Sequence, residues 1–105
     1  MIAKIKKTKK NPKQVRESLG GFIRKMRLEK EYSQAELAAN LGYTSPQFIS
    51  DWERGISSPP LKKLHELSVL LEVKVDALFD LLVTWATEQL VENLSKEFKL
   101  IKKSS

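Results

Sequence analysis

Residues 33–55 read SQAELAANLGYTSPQFISDWERG, and this stretch decides the fold. Ser33-Gln34-Ala35-Glu36 has the S-x-x-E spacing of a capping box, in which hydroxyl and carboxylate each satisfy one free amide at a helix start. A short helix is expected to follow, with Leu37, Ala38 and Leu41 on its buried face. Gly42 stops it, because glycine enters the left-handed conformation at little cost. After a tight turn, Thr44 or Ser45 can cap a further helix that opens with Pro46, a residue that loses no bond at the first helical position. That helix is expected to run to about Arg54, bury Ile49 and Trp52, and end at Gly55. Two short helices around a glycine turn form a helix-turn-helix.

Upstream, Asn11 before Pro12 is a helix-start signal, and a first helix is expected from about Pro12 to Glu29. Val15, Leu19, Phe22, Ile23 and Met26 form its apolar stripe. Gly20-Gly21 interrupt that stripe; they either permit close packing or mark a later start. Downstream, Ser57-Ser58-Pro59-Pro60 is a loop, and Leu61, Leu64, Leu67, Val69, Leu70 and Leu71 mark a fourth helix. The periodicity breaks at Val73-Lys74-Val75-Asp76. A fifth helix follows from Leu78, Phe79 and Leu82, with no glycine or proline before Lys99 to end it. The class is all-α: a compact five-helix bundle with a basic N-terminal arm and an extended C-terminal helix.

At 105 residues and 12.0 kDa, the chain has room for one core and an appended segment. Its apolar runs are far below a membrane span, and no apolar stretch of secretory length follows the basic start. A cytoplasmic protein without a membrane segment is expected. There is no cysteine and a single histidine, His65, which leaves no basis for disulfides, a metal site or a cofactor.

The net charge of +6 is unevenly placed. Residues 1–16 carry seven basic groups and no acid, so the remainder, with 12 basic and 13 acidic residues, stands at net −1. The run is either a solvated tail or a phosphate-binding arm, in which Lys4, Lys6, Lys7, Lys9 and Lys10 are the candidate contacts. The chain therefore divides into an arm over 1–11, a helix-turn-helix domain over 12–82 and a C-terminal helical extension over 83–105.

The ordered series Leu19-Gly20, Ile23-Arg24, Arg27, Ser33-Gln34-x-x-Leu37-Ala38, Leu41-Gly42, Ile49-Ser50-x-Trp52-Glu53-Arg54-Gly55 and Pro59 resembles the Cro and lambda-repressor-like, or Xre, helix-turn-helix regulators over about residues 19–80. The resemblance implies a lambda-repressor-like bundle whose third helix lies in the DNA major groove. It also implies that Ser45, Pro46, Gln47, Ser50 and Asp51 are base-facing, while Ile49 and Trp52 are buried. Gln47 is the leading base contact, since glutamine can pair with adenine N6 and N7. Phe48 could lie against a thymine methyl group, but an aromatic at this spacing is expected in the core. By the same resemblance, Arg27 and Glu53 form a structural pair, and Gln34 holds a phosphate or props a recognition side chain. Arg24, Arg54, Lys62 and Lys63 are the other phosphate candidates.

Three departures stand out. Nine residues separate Gly42 from Trp52, one more than the family pattern, and Pro46 replaces a polar residue. Asp51 occupies a base-facing position in a region, 33–80, with four basic groups and seven acidic ones. A carboxylate can still accept from cytosine N4, and its repulsion from phosphates rejects misaligned sequences.

Beyond the expected core, Ala86, Leu90, Leu94, Phe98 and Ile101 continue an apolar stripe from Leu82, with Trp85 and Val91 beside it. If the helix folds back, the stripe enlarges the core; if it projects, Leu82, Ala86, Leu90, Leu94, Phe98 and Ile101 are the candidate contacts of a homodimer, or alternatively of another protein. The leading function is sequence-specific binding of double-stranded DNA as a dimeric transcriptional regulator, a repressor by occlusion. The alternative is an antitoxin-like or adaptor module in which DNA binding is secondary. An enzyme is not expected, because Ser33, Ser45 and Ser50 are explained as caps or surface and nothing is arranged around His65.

Overall fold

The computed structural model describes residues 17–104, which form five α-helices and no strand. The helices are α1 (Leu19–Glu29), α2 (Gln34–Asn40), α3 (Gln47–Glu53), α4 (Leu64–Leu71) and α5 (Val75–Ser104), with a 3-10 turn at Leu61–Lys63 before α4. Asn11, Pro12 and Val15 lie outside the described residues.

The first helix is not the continuous one expected from Pro12. Ser18 has an extended backbone, and its Oγ accepts from the Gly21 amide at 3.0 Å, so a new helix is capped there and begins at Leu19, just ahead of the glycines. Gly20 is buried against α3. A Cβ at this position would stand 2.5 Å from the Trp52 carbonyl oxygen and 2.6 Å from that of Glu53. The pair of glycines therefore serves close packing at Gly20, whereas Gly21 is exposed.

The capping box at the start of α2 is complete. Ser33 Oγ accepts from the Glu36 amide at 2.9 Å, and Glu36 Oε1 accepts from the Ser33 amide at 2.8 Å. Ser33→Ala is expected to cost about 1 kcal/mol, measured as a lowered urea midpoint with an unchanged slope. Gly42, at φ +89°, turns the chain out of α2. The Lys63 ammonium donates to the Leu41 carbonyl at 2.7 Å, which satisfies one of the acceptors left open at the end of that helix.

The third helix starts one residue later than expected. Pro46 holds the cap position at φ −75°, while Ser45 Oγ accepts from the Gln47 amide at 3.0 Å. Arg54 lies just past the helix end, and Gly55 at φ +76° redirects the chain.

Leu19, Ile23, Leu37, Leu41, Ile49 and Trp52 from the first three helices meet Leu64, Leu67, Leu71 and Leu78 in one core. Two expected core positions of the fourth helix need correction. Leu61 and Val69 are 64% and 60% exposed, because α4 is short and only Leu64, Leu67, Ser68 and Leu71 point inward. The break after α4 falls at Glu72, which adopts a left-handed backbone at φ +57°, as expected from the lost periodicity but without glycine.

The fifth helix is one rod of 30 residues, about 45 Å at the α-helical rise. Its first turns pack on the bundle through Leu78, Leu81, Leu82 and Trp85, so core closure extends one turn beyond Leu82. From Leu90 to Ser104 the helix is exposed almost throughout. No helix among the described residues is long and apolar enough to cross a membrane.

Candidate nucleic-acid interface

The short helix α3 is fastened by its inner face and open on its outer face. Ile49 and Trp52 are 0% and 1% exposed, and helical periodicity turns Gln47, Ser50 and Asp51 away from them. The helix is also anchored at its end. Arg27 of α1 donates to Glu53 twice, from Nε to Oε2 at 2.6 Å and from Nη2 to Oε1 at 3.0 Å. Its Nη1 reaches the Tyr32 carbonyl at 2.8 Å. The two side chains are only 8% and 4% exposed, so this is a buried bidentate pair braced by a further backbone bond.

Gln34 belongs to the same cluster. Its Nε2 donates to Glu53 Oε1 at 3.0 Å, which ties the start of α2 to the end of α3. One N–H of the amide is thus taken up in propping α3, and the second N–H and Oε1 are left for other work.

On the outer face, Gln47 and Asp51 are joined. Gln47 Nε2 donates to Asp51 Oδ1 at 2.8 Å, and Arg54 Nη2 donates to the same oxygen at 3.2 Å. The carboxylate that looks isolated in the sequence is therefore held by an amide and a guanidinium one turn to either side. Asp51 is a half-buried member of the row, and its side chain is 25% exposed. Ser45 and Ser50 are half-buried and Pro46 is exposed beside them.

Phe48 is not in the core. It is 49% exposed, and its ring stacks on Tyr43 at 4.6 Å between centroids. Tyr43 in turn meets Trp52 edge-on at 6.0 Å. Tyr43 takes the place beside Trp52 that Phe48 would have needed, so Phe48 is left on the surface. The stacking role of Tyr43 and the Gln47–Asp51–Arg54 row are additions of the structure to the sequence reading. The aromatic spacing 43–48–52 and the i, i+4 and i, i+3 polar spacings are the signals from which they could be found.

The phosphate candidates divide by what they already hold. Arg24 on α1 and Lys62 on the 3-10 turn are exposed. Lys63 is half-buried and engaged, with its ammonium on the Leu41 carbonyl, near Glu66 at 3.3 Å and over the Tyr43 ring at 5.5 Å. Lys4, Lys6, Lys7, Lys9 and Lys10 lie outside the described residues. At the far end of the molecule, Ala86, Leu90, Leu94, Phe98 and Ile101 are exposed as a group, but Leu82 is half-buried against the bundle and does not join them. Among the described residues no cluster of His, Asp or Glu could hold a metal ion.

A sequence model described as helix-turn-helix matches residues 23–78, more than half of the chain, and spans α1 to the first turn of α5. No curated protein sequence matches it.

Proposed function

The chain belongs to the Cro and lambda-repressor-like helix-turn-helix family of DNA-binding proteins, and on that premise we propose that it is a dimeric, sequence-specific repressor that reads double-stranded DNA with α3. Each α3 enters the major groove of one half-site, with centres about 34 Å apart along the duplex. Occupancy of the site blocks transcription by occlusion. The observation that carries this reading is the division of α3 into a buried inner face and an outer row of Gln47, Ser50 and Asp51 with no core function.

The row also suggests what it reads. With one N–H of Nε2 given to Asp51, Gln47 keeps its second N–H as a donor and Oε1 as an acceptor, and Asp51 keeps Oδ2. In the major groove the matching donors are the exocyclic amines, cytosine N4 and adenine N6. Because Nε2 carries a second N–H, the bidentate reading of adenine by Gln47 is compatible with its bond to Asp51. Arg54 offsets the charge of Asp51 toward the backbone. Arg24, Lys62 and the arm lysines supply the contacts to phosphate, and the arm follows the groove beside the bound helix.

Selection of bound duplexes from a random pool, at two salt concentrations, tests the proposal. A two-fold symmetric site with an invariant amine-bearing edge in each half is expected. Gln47→Ala should weaken binding to that site by about tenfold or more while leaving binding to unrelated duplex unchanged. Neutralising Lys4, Lys6, Lys7, Lys9 and Lys10 together should flatten the dependence of log affinity on log salt by about 0.9 for each phosphate that the arm no longer neutralises. The same experiment tests the alternative, an adaptor in which α5 carries the function, which the acidic balance of residues 33–80 favours. Weak, sequence-independent binding would favour the adaptor.

A further inference from the structure

The fifth helix has two apolar faces. Leu78, Leu81, Leu82 and Trp85 pack on the bundle. Phe79, Val83, Leu90, Leu94, Phe98 and Ile101 recur at spacings that share a different side of the helix. Each of these six is at least 45% exposed. Their stripe begins where α5 is still seated on the bundle, not where the helix leaves it, and extends about 33 Å along the rod at the α-helical rise. An apolar band of this length marks an interaction surface.

The charges along the helix indicate the occupant. From Val75 to Ser95, α5 carries Asp76, Asp80, Glu88 and Glu92 and no basic residue. From Lys96 onward it carries Lys96, Lys99, Lys102 and Lys103 against Glu97 alone. Two such helices side by side in parallel would set acid against acid and lysine against lysine. Reversing one brings the acidic end of each to the basic end of the other, so the helix is complementary to itself in one orientation.

We propose that two copies of the chain pair through α5 in antiparallel orientation about Leu90, which gives the dimer of the preceding section its interface and therefore rests on that reading. In this register Phe79 of one copy faces Ile101 of the other, and Val83 lies beside Glu97 and Phe98. Ala86 faces Leu94, where its small side chain leaves room for the larger one, and Leu90 meets its own equivalent. Asp80, on the flank of the band, comes within a turn of Lys102 on the same flank of the partner copy, whereas Lys99 and Lys103 face away.

The full chain lends itself to a direct test of orientation, since it contains no cysteine. Sedimentation should give a dimer, and Leu90→Asp should raise its dissociation constant by about a hundredfold or more while the helical circular dichroism of the bundle persists. Under mild oxidation Leu90→Cys should cross-link to itself. Ile101→Cys should not, yet should cross-link when mixed with Phe79→Cys. A monomeric full chain, or efficient self-linking of Ile101→Cys as in a parallel pair, would overturn the proposal. Neither result bears on base reading by α3, which the duplex selection measures separately. A dimer with these cross-links but no preferred duplex would sink the DNA reading and leave the α5 pairing in place.

Discussion

Glu53→Ala is expected to lower the unfolding free energy by about 3–5 kcal/mol, which for a domain of this size is a large part of the total. The carboxylate receives both arms of the Arg27 guanidinium and the Gln34 amide, and both charged side chains are nearly excluded from water. Its removal leaves Arg27 with the Tyr32 carbonyl as its remaining bond in the cluster and a buried cation without a counter-charge. The cost arises from the stranded partner, so replacing both residues should be milder: Arg27→Met with Glu53→Leu should lose less than Glu53→Ala alone. Urea unfolding of the two singles and the double gives the coupling energy. A single-site loss below about 1 kcal/mol, the range of exposed ion pairs, would contradict the assignment of this pair to the core.

Gly20→Ala is expected to be the second most damaging change, at about 1–3 kcal/mol net. In an exposed helix interior the same substitution would be favourable by about 1 kcal/mol. Here the added Cβ meets two backbone carbonyl oxygens of α3, at 2.5 Å and 2.6 Å, and backbone cannot turn aside as a flexible side chain can. The helices must separate. Gly21→Ala is the control, since Gly21 is exposed and its Cβ would meet only Ser18 Oγ, at 3.0 Å; it should change stability by less than about 1 kcal/mol in either direction. On the proposed function, Gly20→Ala should also blur duplex selection, because the shifted helix is the one that carries Gln47 and Asp51. Thermal or urea unfolding of both variants, with the duplex selection repeated on Gly20→Ala, measures the two consequences.

The legible parts of the fold are those written in local chemistry. Ser33 and Glu36 announce a helix start because both partners of the capping box lie within one turn, and Gly42 announces a stop because few other residues take its backbone angle cheaply. The start of α1 is less legible. By residue type Ser18 caps no more clearly than Asn11, and it is the bond from the Gly21 amide to Ser18 that marks Leu19 as a helix start. Apolar spacing alone misplaces Phe48, Leu61 and Val69, since periodicity cannot say which neighbour fills a given space; Tyr43 fills the one that Phe48 matches. At the candidate site, the residue types of the outer face are readable, but their bonds to one another depend on rotamers that spacing permits without requiring. In the sequence Asp51 reads as a free charge near phosphates, whereas Gln47 and Arg54 both donate to it.

Tyr43 has one more consequence, which concerns how related proteins are to be lined up with this one. By the family pattern the chain has one residue more between Gly42 and Trp52, expected at Tyr43 or Thr44, and the Tyr43 ring lies edge-on to Trp52. The buried Ile49 and Trp52 fix the rotation of α3. Contact positions borrowed from relatives with the shorter turn should therefore be numbered backward from Trp52, never forward from Gly42. Counting forward would displace the comparison by one residue, about 100° around the helix, and exchange an outer-face side chain for a neighbour that points elsewhere.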